Sequence, residues 1–120
     1  MSRKIHTGTF GENLACRYLA AKGYLIIHRN VSFRCGEIDI VARHSNNLVF
    51  IEVKTRTNTD IMPIEETVFA KKQIKIRKAV TYYLATRPTH LVTRLDVCFI
   101  RIDLAHKKAF IKHIENAFGE

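Results

Sequence analysis

Two short strings, Gly36-Glu37-Ile38-Asp39 and Phe50-Ile51-Glu52-Val53-Lys54, place charge inside runs that otherwise read as apolar strands. Ile38–Arg43 and Leu48–Lys54 are rich in β-branched residues, and His44-Ser45-Asn46-Asn47 between them is polar and turn-forming, so the segment predicts a β-hairpin. With a four-residue loop, Arg43 faces Leu48, Asp39 faces Glu52 and Glu37 faces Lys54. A two-residue turn at Asn46-Asn47 sets Asp39 opposite Lys54 instead. Both keep Asp39, Glu52 and Lys54 on one face, whereas a loop of odd length flips one strand and separates them. Strand alternation groups Glu52 and Lys54 with Leu48 and Phe50, and turns Val49, Ile51 and Val53 the other way. Directly opposed residues have Cβ atoms roughly 4.5–5.5 Å apart, where like charges repel, so Asp39 against Glu52 calls for a cation. Two carboxylates and an ammonium so arranged suit a divalent-metal site that hydrolyses phosphodiesters. A lone carboxylate on such a strand is more simply a solvated charge. Here the face shared with Leu48 and Phe50 argues against full solvation, and charge is rarely buried unless paired or metal-bound.

The flanking elements follow from pattern. Thr9 and Glu12 form a capping-box pair that opens a first helix; Leu14, Ala15, Tyr18 and Leu19 give its apolar face, and Gly23 stops it. Glu12 therefore has two compatible roles, as reciprocal cap to Thr9 or as a third carboxylate directed at the hairpin. Tyr24–His28 reads as a strand. A second helix runs from about Ile64 or Glu65 to Thr86, ended by Pro88, with Phe69, Ile76, Val80 and Tyr83 inward. Arg94–Arg101 and Ala109–Ile114 are two further strands. The order α-β-β-β-α-β-β predicts an α/β fold, a mixed sheet flanked by helices.

Charge points to the partner. The 120 residues carry a net charge of +9 and a pI near 9.8, which attracts polyanions. Lys71, Lys75 and Lys78 share one face of the second helix, with Lys72 and Gln73 beside them and few acids after Glu66 to neutralise them. Arg34 and Arg56 add positive charge near the hairpin. The pattern suits phosphate contacts, so nucleic acid is the expected partner. No membrane is expected, because no apolar run reaches spanning length and no basic amphipathic terminal helix is visible. Met1–His6 is basic but lacks the apolar segment of a signal peptide. The three cysteines are widely spaced without a Cys-x-x-Cys pair, which with that start sets a cytoplasmic expectation. Hard carboxylates and scattered histidines select Mg²⁺ or Mn²⁺ over Zn²⁺. The length suits a single domain spanning 1–120.

Gly11-Glu12 with Ala15, Arg29-Asn30, Gly36-Glu37-Ile38-Asp39, Phe50 to Arg56, Lys72-Gln73, Arg94-Leu95-Asp96-Val97 and His113 to Phe118 together resemble the YraN-like family of bacterial proteins, over nearly the whole chain. That family is regarded as an endonuclease group of the PD-(D/E)XK superfamily, similar to archaeal Holliday junction resolvases. The resemblance implies a restriction-endonuclease-like αβββαβ core. It implies metal ligands at Asp39 and Glu52, the Val53 carbonyl completing the shell, a supporting Glu12 and Lys54 as the motif lysine. Ile38 stands where the superfamily's name has proline, Ser32 where many relatives have arginine, and Ile74 interrupts a helix stretch that is often more basic. The expected function is a metal-dependent endonuclease hydrolysing DNA phosphodiesters, with branched or flapped DNA as candidate substrate and Lys72 and Gln73 on the scissile strand's phosphates. Two matched cuts would require a symmetric homodimer. The alternative is a non-enzymatic nucleic-acid-binding module on the same fold, and a third class is a ribonuclease or a nuclease subunit active only with a partner.

Overall fold

The structure, a computed structural model, describes residues 3–57 and 73–117. In chain order the elements are α1 (Arg3–Ala21), β1 (Leu25–Phe33), β2 (Gly36–His44), β3 (Asn47–Thr57), α2 (Gln73–Thr86), β4 (Val92–Asp103) and β5 (Lys108–Ile114). The five strands form one sheet in the order β1-β2-β3-β4-β5. Neighbours are antiparallel except β3 and β4, which run parallel. This is the mixed α/β sheet and the αβββαβ core that the sequence predicts, extended by β5. The expected start of the second helix, with Phe69, lies outside the described residues; its end at Thr86 is as expected. No helix among the described residues is long and apolar enough to cross a membrane.

The helices cover opposite faces. Ile76, Ala79, Val80 and Tyr83 of α2 pack on Ile38, Val41, Leu48, Phe50, Val97 and Phe99. Ala15 and Leu19 of α1 pack on Ile40, Ala42, Val49, Ile51, Cys98, Ile100 and Ile102. Alternation along β3 thus sends Leu48 and Phe50 to one helix and Val49 and Ile51 to the other, as a strand buried on both faces requires.

The later strands run one to three residues beyond their expected bounds, and three other differences have a local cause. Helix α1 begins at Arg3, so Thr9 and Glu12 lie inside it and do not cap it. A Thr-x-x-Glu string is also an ordinary surface pair within a helix, and Gly8 costs only about 1 kcal/mol there. Its other end is as predicted. Gly23 takes φ 92, Tyr24 N–H donates to Leu19 O at 3.0 Å and Gly23 N–H to Ala20 O at 3.0 Å, a Schellman cap. Strand β1 continues past His28 to Phe33. The register shifts between Ile26 and His28 and Asn30 sits at φ 54, so the chain kinks without leaving the sheet, which asparagine tolerates. In the β2–β3 hairpin, His44 pairs with Asn47 and Arg43 with Leu48. The register is that of the four-residue loop, but the turn closes to Ser45-Asn46, with Ser45 at φ 56, the sign that primed hairpin turns need.

One buried polar cluster ties β4 to Tyr24 just before β1, to β5 and to the segment after it. Asp96 is fully buried. Arg94 donates to both its oxygens at 2.9 Å, His113 Nε2–H to Oδ2 at 2.7 Å and Asn116 N–H to Oδ1 at 3.0 Å. Arg94 also donates to the Tyr24 hydroxyl at 2.7 Å, and Tyr24 stacks on His44 with ring centroids 4.1 Å apart. Burial alone would push the Asp96 carboxyl up; hydrogen bonds from His113, Arg94 and Asn116 more than offset this and hold it below its ordinary value. Replacing Asp96 with Ala would strand these donors. Asp96→Ala should lower stability by roughly 3–5 kcal/mol, the range for breaking a buried ion pair, read as a shift in urea midpoint.

Candidate functional site

The β2–β3 ladder ends at Ile40↔Ile51. One residue further, where the strands part, the same register leads to Asp39 and Glu52. Both are buried, at 8% and 4% exposure. Asp39 Oδ2 accepts the Val53 N–H at 2.7 Å, a side chain standing in for the lost ladder partner. In an extended strand the N–H and C=O of one residue point to the same edge, so the Val53 carbonyl is directed to this gap as well.

Two glycines bring the helices up to the gap. A Cβ on Gly36 would lie 2.9 Å from the backbone carbonyl oxygen of Lys75, so only glycine lets β2 meet the start of α2 so closely. A Cβ on Gly11 would collide with the Thr55 side chain on β3. Gly11 is buried, and it holds the next residue, Glu12, near the strand ends. The result is a cavity of about 160 Å³ lined by Gly36, Glu37, Asp39, Glu52, Lys75 and Ile76.

The surroundings of Asp39 disfavour its charged form. The Asp39 carboxyl is pushed from its ordinary 3.8 up to about 8. Burial is the main cause, then the charge of Glu52; Glu12 and Glu37 push the same way, and the Val53 N–H opposes them. That influence places Glu12 within the field of the site. Its side chain lies 3.6 Å from the Arg29 guanidinium, which also donates to Asn13 at 2.8 Å.

The structure brings together Asp39, Glu52 and the Val53 backbone, with Glu12 contributing through its charge and Lys75 on the rim. Lys54 follows Glu52 on β3, two residues on and therefore on the same side. Glu37 does not face Lys54, because the strands have already parted; it lines the cavity and accepts from the Ser32 hydroxyl at 3.2 Å. Arg34 is exposed in the β1–β2 turn and Arg56 lies near the end of β3. Lys75 and Lys78 are exposed on α2, which Gln73 opens; Lys71 and Lys72 lie outside the described residues. Among the described residues no three His, Cys, Asp or Glu side chains converge as a ready metal cluster. Two carboxylates and one carbonyl still fit Mg²⁺ or Mn²⁺, ions that take hard oxygen donors and keep several waters. The sequence reading missed Glu37 as a lining residue and the spacing role of Gly11 and Gly36. The signal was there in the Gly-Glu pairs Gly11-Glu12 and Gly36-Glu37, where a small residue precedes an acid that must come close to a neighbouring element.

The sequence profile of the uncharacterised protein family UPF0102 matches residues 11–100, from Gly11 and Glu12 through both hairpin strands to β4. The chain belongs to that family. A UPF0102 protein of Syntrophomonas wolfei is 39% identical over 118 residues, covering 98% of this chain and 100% of its own. One from Alkaliphilus oremlandii is 42% identical over 121 residues, with 98% and 100% covered. Another from Roseiflexus castenholzii is 36% identical over 120 residues, with 98% and 97% covered. UPF0102 is the YraN-like group that the sequence motifs resemble, so that expectation is borne out.

The raised Asp39 acid has a measurable consequence. The folded chain keeps a proton that the unfolded chain gives up, so its contribution to stability is full below 3.8 and is lost as pH rises through about 8. Without divalent cation, Asp39→Asn should raise stability above pH 8 by roughly 1–3 kcal/mol, the range for relieving a poorly compensated buried polar group. Wild type and variant should converge in acid. Thermal melts across pH in EDTA test this, and parallel curves would remove Asp39 as the responsible group.

Proposed function

We propose that this chain is a metal-dependent endonuclease that hydrolyses DNA phosphodiesters. The observation that carries the reading is the pair of buried, opposed carboxylates, Asp39 and Glu52, at a strand splay where the Asp39 acid is pushed up to about 8. Such a pair is unfavourable unless a cation or proton joins it. Asp39, Glu52 and the Val53 carbonyl would hold Mg²⁺ or Mn²⁺, which when bound supplies a water of lowered pKa and neutralises charge on the phosphate. The Val53 N–H fixes Asp39 by donating to Oδ2. Glu12 and Glu37 deepen the negative field that draws a cation into the cavity. Lys54, on the side of Glu52, would orient the attacking water and stabilise charge developing on the phosphoryl oxygens. Exposed Lys75 and Lys78 and the net charge of +9 would hold the strand by its phosphates. Two matched cuts, as on a branched substrate, would require two copies of the chain in a symmetric pair.

A panel of labelled junction, flap, duplex and single-stranded DNA with Mg²⁺ and Mn²⁺ tests the activity. Lys54→Met keeps the aliphatic stem and removes the charge. It should lower the cleavage rate by about 10²–10³-fold while DNA affinity and melting temperature stay near wild type. A Lys54→Met variant that cleaves at the wild-type rate would remove its catalytic role. If wild type cleaves nothing on the panel with either ion, a binding module on a nuclease-like fold is the better account.

A further inference from the structure

A second feature lies beside the cavity on α2. Tyr82 is 58% exposed although it is large and aromatic. It stacks on Phe33 at the end of β1, with ring centroids 6.0 Å apart and planes 26° from parallel. Phe33 pairs with Gly36 across the β1–β2 turn, and Gly36 lines the carboxylate cavity. Ile74, Lys78 and Tyr82 follow at four-residue spacing along the exposed side of α2, and Lys75 of the cavity rim lies seven residues before Tyr82. At 1.5 Å rise per residue that separates Lys75 from Tyr82 by about 10 Å along the helix. A track therefore runs from the carboxylates over Lys75 and Lys78 to an aromatic face, with exposed Arg34 in the adjoining turn.

Exposure alone would not single out Tyr82, but its ring is stacked on Phe33, which is packed against the core, and it keeps most of its surface in solvent one turn from Lys78. Bases stack on aromatic faces only when unpaired, since in a duplex both faces of a base are already covered. We infer that Tyr82, backed by Phe33, is a base-stacking platform that holds an unpaired nucleotide of the strand entering the Asp39–Glu52 cavity. The substrate class is then DNA with a single-stranded or splayed segment next to the cut. This rests on the nuclease reading for its orientation, but the platform can be tested without cleavage.

The experiment measures binding of a labelled mixed-sequence single strand and of a blunt duplex of equal length, in EDTA and again in Ca²⁺. Tyr82→Ala should weaken single-strand binding by about 5- to 100-fold, the span of one lost aromatic–base stack, and leave duplex binding unchanged. Tyr82→Phe should keep wild-type affinity for both. Lys78→Ala should weaken both. The chain has no tryptophan, so Tyr82→Trp installs a single indole whose fluorescence the single strand should quench and the duplex should not. Melting curves confirm that each variant is folded. Equal losses on both DNAs, no loss with Tyr82→Ala, or a wild type that binds neither DNA would each overturn the platform. Selective loss in the absence of any cleavage would sink the nuclease reading alone. Cleavage by wild type with an indifferent Tyr82→Ala would sink the platform alone.

Discussion

The burial of two carboxylates side by side, Asp39 and Glu52, is the constraint around which the rest of this structure is arranged. A carboxylate taken out of water loses hydration, and a second one beside it adds repulsion. Neither would sit at 8% or 4% exposure without reason. The fold accommodates them by ending the β2–β3 ladder at Ile40↔Ile51 and giving the orphaned Val53 N–H to Asp39. That hydrogen bond opposes burial, but it does not cancel it, and the Asp39 acid stays high. Gly11 and Gly36 then admit α1 and α2 to the edges of the gap. The close approaches bring Glu12 nearer and seat Lys75 on the rim, so the site's composition depends on two missing side chains.

Asp96 shows what a buried carboxylate looks like when its role is structural. It has the same chemistry and greater burial, yet its acid moves the opposite way, because Arg94, His113 and Asn116 all donate to it. The two aspartates lie on neighbouring regions of one sheet, but they differ in whether the fold completes their hydrogen bonding. Asp96 is closed on itself and joins β4 to β5. Asp39 has one donor and several acids around it. This contrast, more than the presence of acidic residues, separates the candidate site from the scaffold.

Much of this was legible in the chain because the hairpin carries its own register. Alternation in Leu48–Lys54 set which residues share a face, and of the two pairings that His44–Asn47 allowed the structure takes that of the four-residue loop, with a shorter turn. Helix starts were less legible. Thr9 and Glu12 have the form of a cap, but local propensity cannot tell a cap from a surface pair when the helix simply continues. The end of β1 was hidden for a similar reason: Arg29-Asn30 reads as a break, and Asn30 in a left-handed conformation makes it only a kink. The Asp96 cluster was invisible because its donors come from Arg94 on the same strand and from His113 and Asn116 well beyond it. Arg-x-Asp in a strand marks one contact of the set and says nothing of the others. The platform at Tyr82 likewise depends on Phe33, distant in sequence, and a lone tyrosine on a helix carries no such signal.

The position of the site follows from how the sheet is covered. Helix α1 closes one face and α2 the other, so strand side chains in the middle of the sheet are sealed in hydrocarbon. Polar chemistry can reach solvent only where a ladder ends. The β2–β3 splay is such a place, and the β1–β2 turn brings Arg34 beside it while α2 starts above it. Lys75 and Arg34 are therefore presented by the elements that frame the gap, and Asp39 and Glu52 by the strands that form it. Glu52, Glu12 and Glu37 all act on Asp39 in the same sense, so the inner part of the cavity favours a bound proton or cation at that carboxylate. On the proposed reading the arrangement separates affinity from chemistry: basic residues on the rim would hold the strand, and the inner acids would take a ligand that carries positive charge of its own.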